Sequence, residues 1–242
     1  QTKPIHMRQL TQPAKILLSE WQSLQQTAHW QGRQLFSEQG SGFSRLQECS
    51  DEILQPAAMR SYTSKTAGWL LLIPIYGAIE CRDNAGNENK MAAGQLLCMP
   101  VQPGIDFFIQ NPFGDMPVNY LRILISDLVP LPPPLATVIT YDVNRFPSVL
   151  LQVSPGVLHD QRLPFKLSIG LFGGRNETSL QPAESRNGFF FYVLEGAFEI
   201  AGRLLHARDA LAIARPEAAA AEALSNDALL IAVELPFFTS GV

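Results

Sequence analysis

Short apolar runs separated by turn residues recur along the whole chain, and they predict an all-β protein. Typical runs extend from Trp69 to Ile73, from Tyr120 to Ile125 and from Leu229 to Val233. Such lengths, bounded by Gly, Pro, Asn and Asp, are typical of strands. The stretches 14–25 and 217–224 are candidates for short helices, and the second, an alanine run, is equally a candidate loop between strands. Neither changes the predicted class.

The two halves of the sequence repeat one plan. The segment Ile75 to Glu80 resembles the segment Leu194 to Glu199, and each places a glycine directly after a bulky apolar run. Each continues through a turn into another strand that ends in proline, at Pro100 in the first half and at Pro216 in the second. Self-similarity of this kind indicates a duplicated architecture. We therefore predict two small β-barrels in tandem.

A proline-rich segment between the halves marks the domain boundary. It runs from Ser126 to Pro134 and ends in the sequence LPPP. Proline lacks the backbone N–H and fixes φ, so this sequence continues neither a β-ladder nor a helix. We place the linker here and predict two domains, residues 1–130 and residues 131–242.

The glycine and proline spacing resembles the cupin motifs. The second of those motifs runs glycine, five residues, proline, and then a glycine with a histidine three residues on and an asparagine four beyond it. Here Gly94, Pro100, Gly104 and Asn111 follow that spacing, and Phe107 stands at the histidine position.

Further segments are similar to the pirin family, and the similarity extends over nearly the whole chain: Gly42–Leu46, Ser50–Leu54, Gly104–Ile105, Gln110–Pro112, Leu151–Pro155 and Val233–Pro236. The resemblance implies a bicupin, that is, an all-β chain of two tandem antiparallel barrels with the jelly-roll cupin fold.

The same resemblance implies a position for a metal centre. In pirins and related bacterial quercetinases, the N-terminal barrel holds one iron through three histidines and a glutamate. The paired histidines align near Thr63 and Lys65, the third histidine aligns with Phe107, and the glutamate aligns with Ile109. Residues 61–76 contain no His, Asp, Glu or Cys, and phenylalanine and isoleucine cannot coordinate a metal. We therefore expect no metal cofactor, and these four residues become the candidate pocket residues.

Other histidines offer no replacement cluster. His159 and His206 stand alone in the second half, and His6 and His29 precede the first barrel motif. Asp106 is the only carboxylate beside Phe107, and in a strand it would point to the opposite face. Lys65 is either an exposed loop lysine or an ammonium at the former cation position, where it would hold an anionic ligand or pair with a carboxylate.

Composition and charge limit the kinds of partner and location that the sequence predicts. The net charge of −4 provides no basic field, which argues against electrostatic binding of nucleic acid. The longest apolar run, Trp69 to Tyr76, is far too short to cross a bilayer. Cys49, Cys81 and Cys98 are odd in number and lack CxxC spacing, so we expect buried, reduced thiols and a cytoplasmic location.

Three functions follow from these expectations. The first is a non-catalytic scaffold that binds an unknown small molecule or protein, with Phe107 and Ile109 making the first-barrel pocket smaller and drier. The alternative is a quercetin 2,3-dioxygenase-like oxygenase with an atypical metal site. The third is a transcription-associated interaction protein, as some pirins are reported to be.

Overall fold

The computed structural model describes residues 14–36, 42–127 and 135–237, and this part of the chain is all-β, as predicted. Two short 3-10 turns, Ser19–Trp21 and Val143–Arg145, accompany the strands. No helix in this part has the length and hydrophobicity that a membrane span requires. The strands of the first half are β1 Ala14–Leu17, β2 Ser23–Gln26, β3 Trp30–Gln34, β4 Leu46–Leu54, β5 Met59–Thr63, β6 Gly68–Tyr76, β7 Ala78–Asp83, β8 Glu88–Ala92, β9 Gln95–Val101, β10 Asp106–Gln110, β11 Val118–Ser126 and β12 Thr137–Thr140.

The strands of the second half are β13 Leu151–Gln152, β14 Val157–Leu158, β15 Gln161–Arg162, β16 Lys166–Phe172, β17 Glu177–Leu180, β18 Asn187–Glu195, β19 Ala197–Ile200, β20 Arg203–His206, β21 Ala210–Ile213, β22 Ala219–Ala223 and β23 Ala228–Pro236.

Each barrel consists of a large and a small antiparallel sheet. The N-terminal barrel pairs a seven-stranded sheet, β12-β9-β6-β11-β4-β3-β2, with a four-stranded sheet, β5-β10-β7-β8. The C-terminal barrel pairs a six-stranded sheet, β1-β21-β18-β23-β16-β13, with a four-stranded sheet, β17-β22-β19-β20. One hydrophobic cluster fills each barrel, and a third lies where the two large sheets meet.

The predicted duplication is confirmed by two pairs of equivalent strands, β6 with β18 and β11 with β23. β6 and β18 have nine residues each, and each is followed directly by a glycine with positive φ, Gly77 at 80° and Gly196 at 76°. Glycine adopts this conformation at little cost because it has no Cβ, which explains why it recurs at this point of the repeat. β11 and β23, also of nine residues, lie beside β6 and β18 respectively.

Strand pairing crosses the predicted division at residues 130 and 131 in both directions. β1 pairs with β21 in the C-terminal barrel, and β12 pairs with β9 in the N-terminal barrel. Ser126 is the last residue of β11, while residues 128–134, including the proline run, lie outside the described residues. The exact boundary therefore stays a prediction, and each barrel is completed by a strand from the other half of the chain.

Neither candidate helix forms. The segment 14–25 contains β1, the first 3-10 turn and the start of β2, and the alanine run contains β22. β22 pairs with both β17 and β19, and Ala219, Ala221 and Ala223 alternate inward into the barrel. Sheet pairing on both sides thus overrides the intrinsic preference of alanine for helix, which is only a weak determinant.

Candidate functional site

A cavity of about 460 Å³ opens into the N-terminal barrel between the two sheets. Its wall combines β4 and β11 of the large sheet with β5 and β10 of the small one. The residues that shape it include Ser50, Arg60, Tyr62, Phe107, Arg122 and Leu124.

Strand alternation sends charged side chains into this barrel. In the paired register of β4 and β11, Ser50 lies opposite Arg122 and Glu52 lies opposite Tyr120. Side chains two residues apart in a strand share a face, so Ser50 and Glu52 face the same interior as Tyr120 and Arg122. Charged residues are rarely fully buried unless they are paired.

Glu52 and Arg122 form that pair. Arg122 Nε donates to Glu52 Oε1 at 2.9 Å, and Glu52 is 0% exposed. The other carboxylate oxygen, Oε2, accepts from Trp30 Nε1 at 2.8 Å, from the Tyr120 hydroxyl at 2.9 Å and from the Tyr62 hydroxyl. Because four side chains donate to the carboxylate, one to Oε1 and three to Oε2, the buried charge is stabilised by protein groups.

The surroundings of Glu52, Tyr62 and Tyr120 keep each of these side chains in one protonation state. Burial alone would raise the pKa of Glu52, but the Arg122 charge and the hydrogen bonds hold that pKa below its usual value. Burial, followed by the nearby Glu52 carboxylate, raises the pKa of both Tyr62 and Tyr120. At neutral pH, the carboxylate is therefore charged and the phenols are protonated.

The outer part of the cavity is aromatic and cationic. The ring of Tyr62 stacks on Phe107, with centroids 5.1 Å apart and an interplanar angle of 14°. The Arg122 guanidinium lies 4.4 Å from the Tyr62 centroid, and Arg60 lies over the Trp30 ring. Arg122 Nη1 also donates to the Glu48 carboxylate at the cavity mouth.

The four sequence-predicted residues take different positions. Phe107, 3% exposed, faces into the barrel, and Ile109, 0% exposed, lies deeper in its core. Thr63 and Lys65 are exposed residues at the cavity rim, and Thr63 donates to Asp106 Oδ1 at 2.6 Å. Asp106 thus lies on the face opposite Phe107, as the strand alternation predicts.

The sequence did not predict the polar residues around the Glu52 carboxylate as site residues. Tyr62, one residue before the predicted Thr63, is the inward residue opposite Phe107 in the register of β5 and β10. Trp30, Glu52, Tyr120 and Arg122 were not predicted at all. A signal existed in β11, where an arginine stands among apolar residues in VNYLRILIS with the same parity as Tyr120.

The donors available for a metal are few in this cavity. Within residues 14–36, 42–127 and 135–237, no three His, Cys, Asp or Glu side chains converge in a way that could hold a metal ion. His159 bonds the Leu135 carbonyl oxygen at 2.8 Å, and His206 is an exposed residue at the end of β20. Neither lies at the cavity.

Two tandem antiparallel barrels, with a cavity inside the first, define the class of this protein as a bicupin. The model of the quercetinase C-terminal cupin domain family matches residues 164–235, in the second barrel. The pirin-like protein YhaK of Escherichia coli K12 is 27% identical over 82 residues, which are 34% of this chain and 35% of YhaK. The sequence match therefore spans about a third of the curated relative.

Solved structures match over much more of the chain. YhhW from Escherichia coli superposes with a TM-score of 0.81 at 18% identity, covering 95% of this chain and 100% of YhhW. A quercetin 2,3-dioxygenase from Acinetobacter baumannii superposes with a TM-score of 0.71 at 13% identity, covering 92% of this chain and 85% of that one. At these identities, the likeness shows the fold alone. The matches to the quercetinase C-terminal cupin domain and to YhaK add that part of the sequence is similar to pirin-related proteins.

Proposed function

We propose that this bicupin is a pirin-family, metal-free, non-catalytic scaffold that binds a small organic molecule in its N-terminal barrel. The observation that carries the proposal is the buried pair of Arg122 and Glu52 beside the cavity. In this proposal, the guanidinium supplies inside the barrel the positive charge that a metal ion supplies in relatives.

The side chains present do not fit a metal centre. Transition metals in such sites need imidazole or carboxylate ligands that converge on one open position. The inward residues of β5 and β10 are Arg60, Tyr62, Phe107 and Ile109, and none of them carries an imidazole or a carboxylate. The buried carboxylate of Glu52 already accepts hydrogen bonds from four side chains. A metal would have to displace Arg122 from it and leave a buried guanidinium with a lost partner, which is costly.

The cavity has the size and lining of a small-molecule site. Ligand pockets usually measure roughly 300 to 1,000 Å³ and combine apolar walls with a few convergent polar groups. The cavity of about 460 Å³ falls in that range. Phe107, Leu70 and Val101 contribute apolar surface, and Arg122 and Ser50 contribute the polar groups.

A ligand-observed NMR screen of a fragment library tests the proposal. We expect hits whose signals are lost in Thr66→Trp, because Thr66 is an exposed residue of the cavity wall and the indole would obstruct entry. Thr140→Trp, at an exposed threonine that ends β12 and lies outside this cavity, is the control and keeps the hits. Fragments that bind both variants equally, or no hits at all, would contradict the proposal.

The alternative function is a quercetin 2,3-dioxygenase-like oxygenase with an atypical metal site. The family of the C-terminal barrel and the shared fold with a quercetin 2,3-dioxygenase favour it. A quercetin-turnover assay after incubation with iron, manganese, nickel or copper separates the two functions, since a scaffold gives no turnover with any metal. A protein partner, as in the transcription-associated hypothesis, stays a prediction that a pull-down from the native host would test.

A further inference from the structure

The cavity holds a hydroxyl group with no partner. Ser50 is 2% exposed, and its Oγ has no hydrogen-bond partner among the described residues. A buried polar group without a partner costs roughly 1–3 kcal/mol, and such groups usually have one. Ser50 lines the cavity and lies directly opposite Arg122 in the paired strands. The two side chains are therefore placed to bind the same group.

Arg122 already binds a carboxylate at the cavity mouth. Its Nη1 binds the carboxylate of Glu48, whose side chain is 41% exposed, whereas the side chain of Arg122 is 7% exposed. The inner carboxylate, Glu52, is fixed by four donors, but Glu48 reaches Arg122 from the solvent side. A carboxylate held by one contact at a cavity mouth is easily exchanged for another, because water can solvate it after it leaves.

The charge around the cavity favours an anion. Its lining carries three cationic side chains, Arg60, Lys65 and Arg122, and one anionic side chain, Glu48. With the buried Glu52 carboxylate that pairs with Arg122, the cationic side chains outnumber the anionic ones by three to two. The chain as a whole carries a net charge of −4, so this local excess of positive charge runs against the overall balance. Low-dielectric clefts lined by one sign of charge concentrate ligands of the opposite sign.

We infer that the ligand of this cavity is a small, flat carboxylate whose carboxyl group replaces Glu48 on Arg122 and accepts a hydrogen bond from Ser50. Its apolar body would lie against the stacked rings of Tyr62 and Phe107. Arginine suits this role because its planar fork binds carboxylates through two parallel hydrogen bonds. The inference rests on the proposed function and specifies the ligand class of the same site.

Calorimetric titration with cinnamate and with its neutral amide, cinnamamide, tests the inference. We expect cinnamate to bind at least about tenfold more tightly than cinnamamide, the ratio typical of one charge-assisted hydrogen bond. Glu48→Gln removes the competing internal carboxylate and should tighten cinnamate binding by about tenfold. Ser50→Ala should weaken cinnamate binding more than cinnamamide binding, because the hydroxyl donates a stronger hydrogen bond to a charged carboxylate than to an amide oxygen.

Glu88→Gln is the matched control for Glu48→Gln. The Glu88 side chain is 42% exposed and pairs with Arg82 on the same barrel, outside the cavity. It should leave both affinities unchanged. Glu48→Gln leaves the buried pair of Arg122 and Glu52 in place, and Ser50→Ala removes no ion pair, so both variants are expected to fold.

The outcomes separate the inference from the proposed function. If both probes bind equally and Glu48→Gln has no effect, the carboxylate inference is wrong while the small-molecule scaffold stands. If cinnamate binds neither the wild type nor Glu48→Gln, the inference is also wrong. The scaffold proposal falls with it only if the fragment screen yields no hits either.

Discussion

The two barrels share one strand plan, yet their interiors differ in kind. In β11 the fifth residue is Arg122, and in the equivalent strand β23 it is Ala232. Arg122 lies opposite Leu72 of β6, whereas Ala232 lies opposite Phe191 of β18. The interior of the N-terminal barrel thus contains a paired charge next to a cavity. At the equivalent position, the C-terminal barrel has a small residue opposite a phenylalanine.

Aromatic packing explains why the second barrel has no room for the same arrangement. Phe172, Phe189, Phe191 and Phe198 are each at most 1% exposed and fill its core together with inward alanines. The rings of Phe172 and Phe198 meet edge to face, with centroids 5.6 Å apart. The comparison teaches that the two halves share the sheet plan, while the interior residues set whether a barrel encloses a paired charge beside a cavity or a packed aromatic core.

Placing an arginine at the equivalent position of the second barrel should have the largest effect on stability. Ala232→Arg places a guanidinium in the aromatic core without a carboxylate partner, and we expect it to abolish folding. An unpaired buried charge costs several kcal/mol, against a typical net stability of about 5–15 kcal/mol. Soluble yield and circular dichroism measure the effect. Ala220→Arg, at an exposed position of β22, is the control, and a folded Ala232→Arg variant would refute the comparison.

Removing the charge from the first barrel should be the next largest effect. Arg122→Met leaves Glu52 buried without its cation, and we expect it to lower the free energy of unfolding by about 3–5 kcal/mol in urea denaturation. Arg82→Met removes an ion-pairing arginine whose side chain is 50% exposed and should cost no more than about 1 kcal/mol. If both variants lost a similar free energy of unfolding, burial of the Arg122–Glu52 pair would not determine its contribution to stability.

The ion pair should also make stability depend on pH. The pKa of Glu52 is lower in the folded chain than in the unfolded one, so its stabilising contribution is complete above the ordinary carboxyl pKa of about 4.3. The contribution disappears as the pH falls through the folded pKa. We therefore expect the stability difference between wild type and the double variant Glu52→Gln, Arg122→Met to change in acid, to the disadvantage of wild type. Parallel stability curves from pH 7 into the acid range would contradict this.

The smallest effect concerns the unpartnered hydroxyl. Ser50→Ala removes a buried hydroxyl that has no hydrogen-bond partner among the described residues, so we expect the free energy of unfolding to rise, by at most about 1–3 kcal/mol. Ser154, 4% exposed, is the matched buried serine, and its Oγ accepts from Leu167 N at 2.9 Å. Ser154→Ala should cost about 1–3 kcal/mol. An equal cost at both positions would show that Ser50 has a structural partner.

The fold was predictable because its signals are local. Gly77 and Gly196 mark the same turn in each repeat, and the flanking apolar runs supply the strands. The three cysteines were also predictable as small core residues. All are free and buried, and burial raises their pKa values, that of Cys81 to about 12.

The candidate site was less predictable because it depends on register between distant strands. Glu52 and Arg122 are 70 residues apart in sequence, and only the pairing of β4 and β11 brings them together. A shift of one residue moves a side chain to the other face of a strand. This explains why Thr63 was predicted where Tyr62 faces the interior.

Metal content tests the central claim most directly. Tag-free protein would be expressed with supplemental iron, manganese, nickel and copper, and the purified chain measured by inductively coupled plasma mass spectrometry. If the Arg122 guanidinium supplies the internal cation, each metal should be far below one atom per chain. Near-unit occupancy by a single transition metal would contradict the account and favour the oxygenase function over the metal-free scaffold.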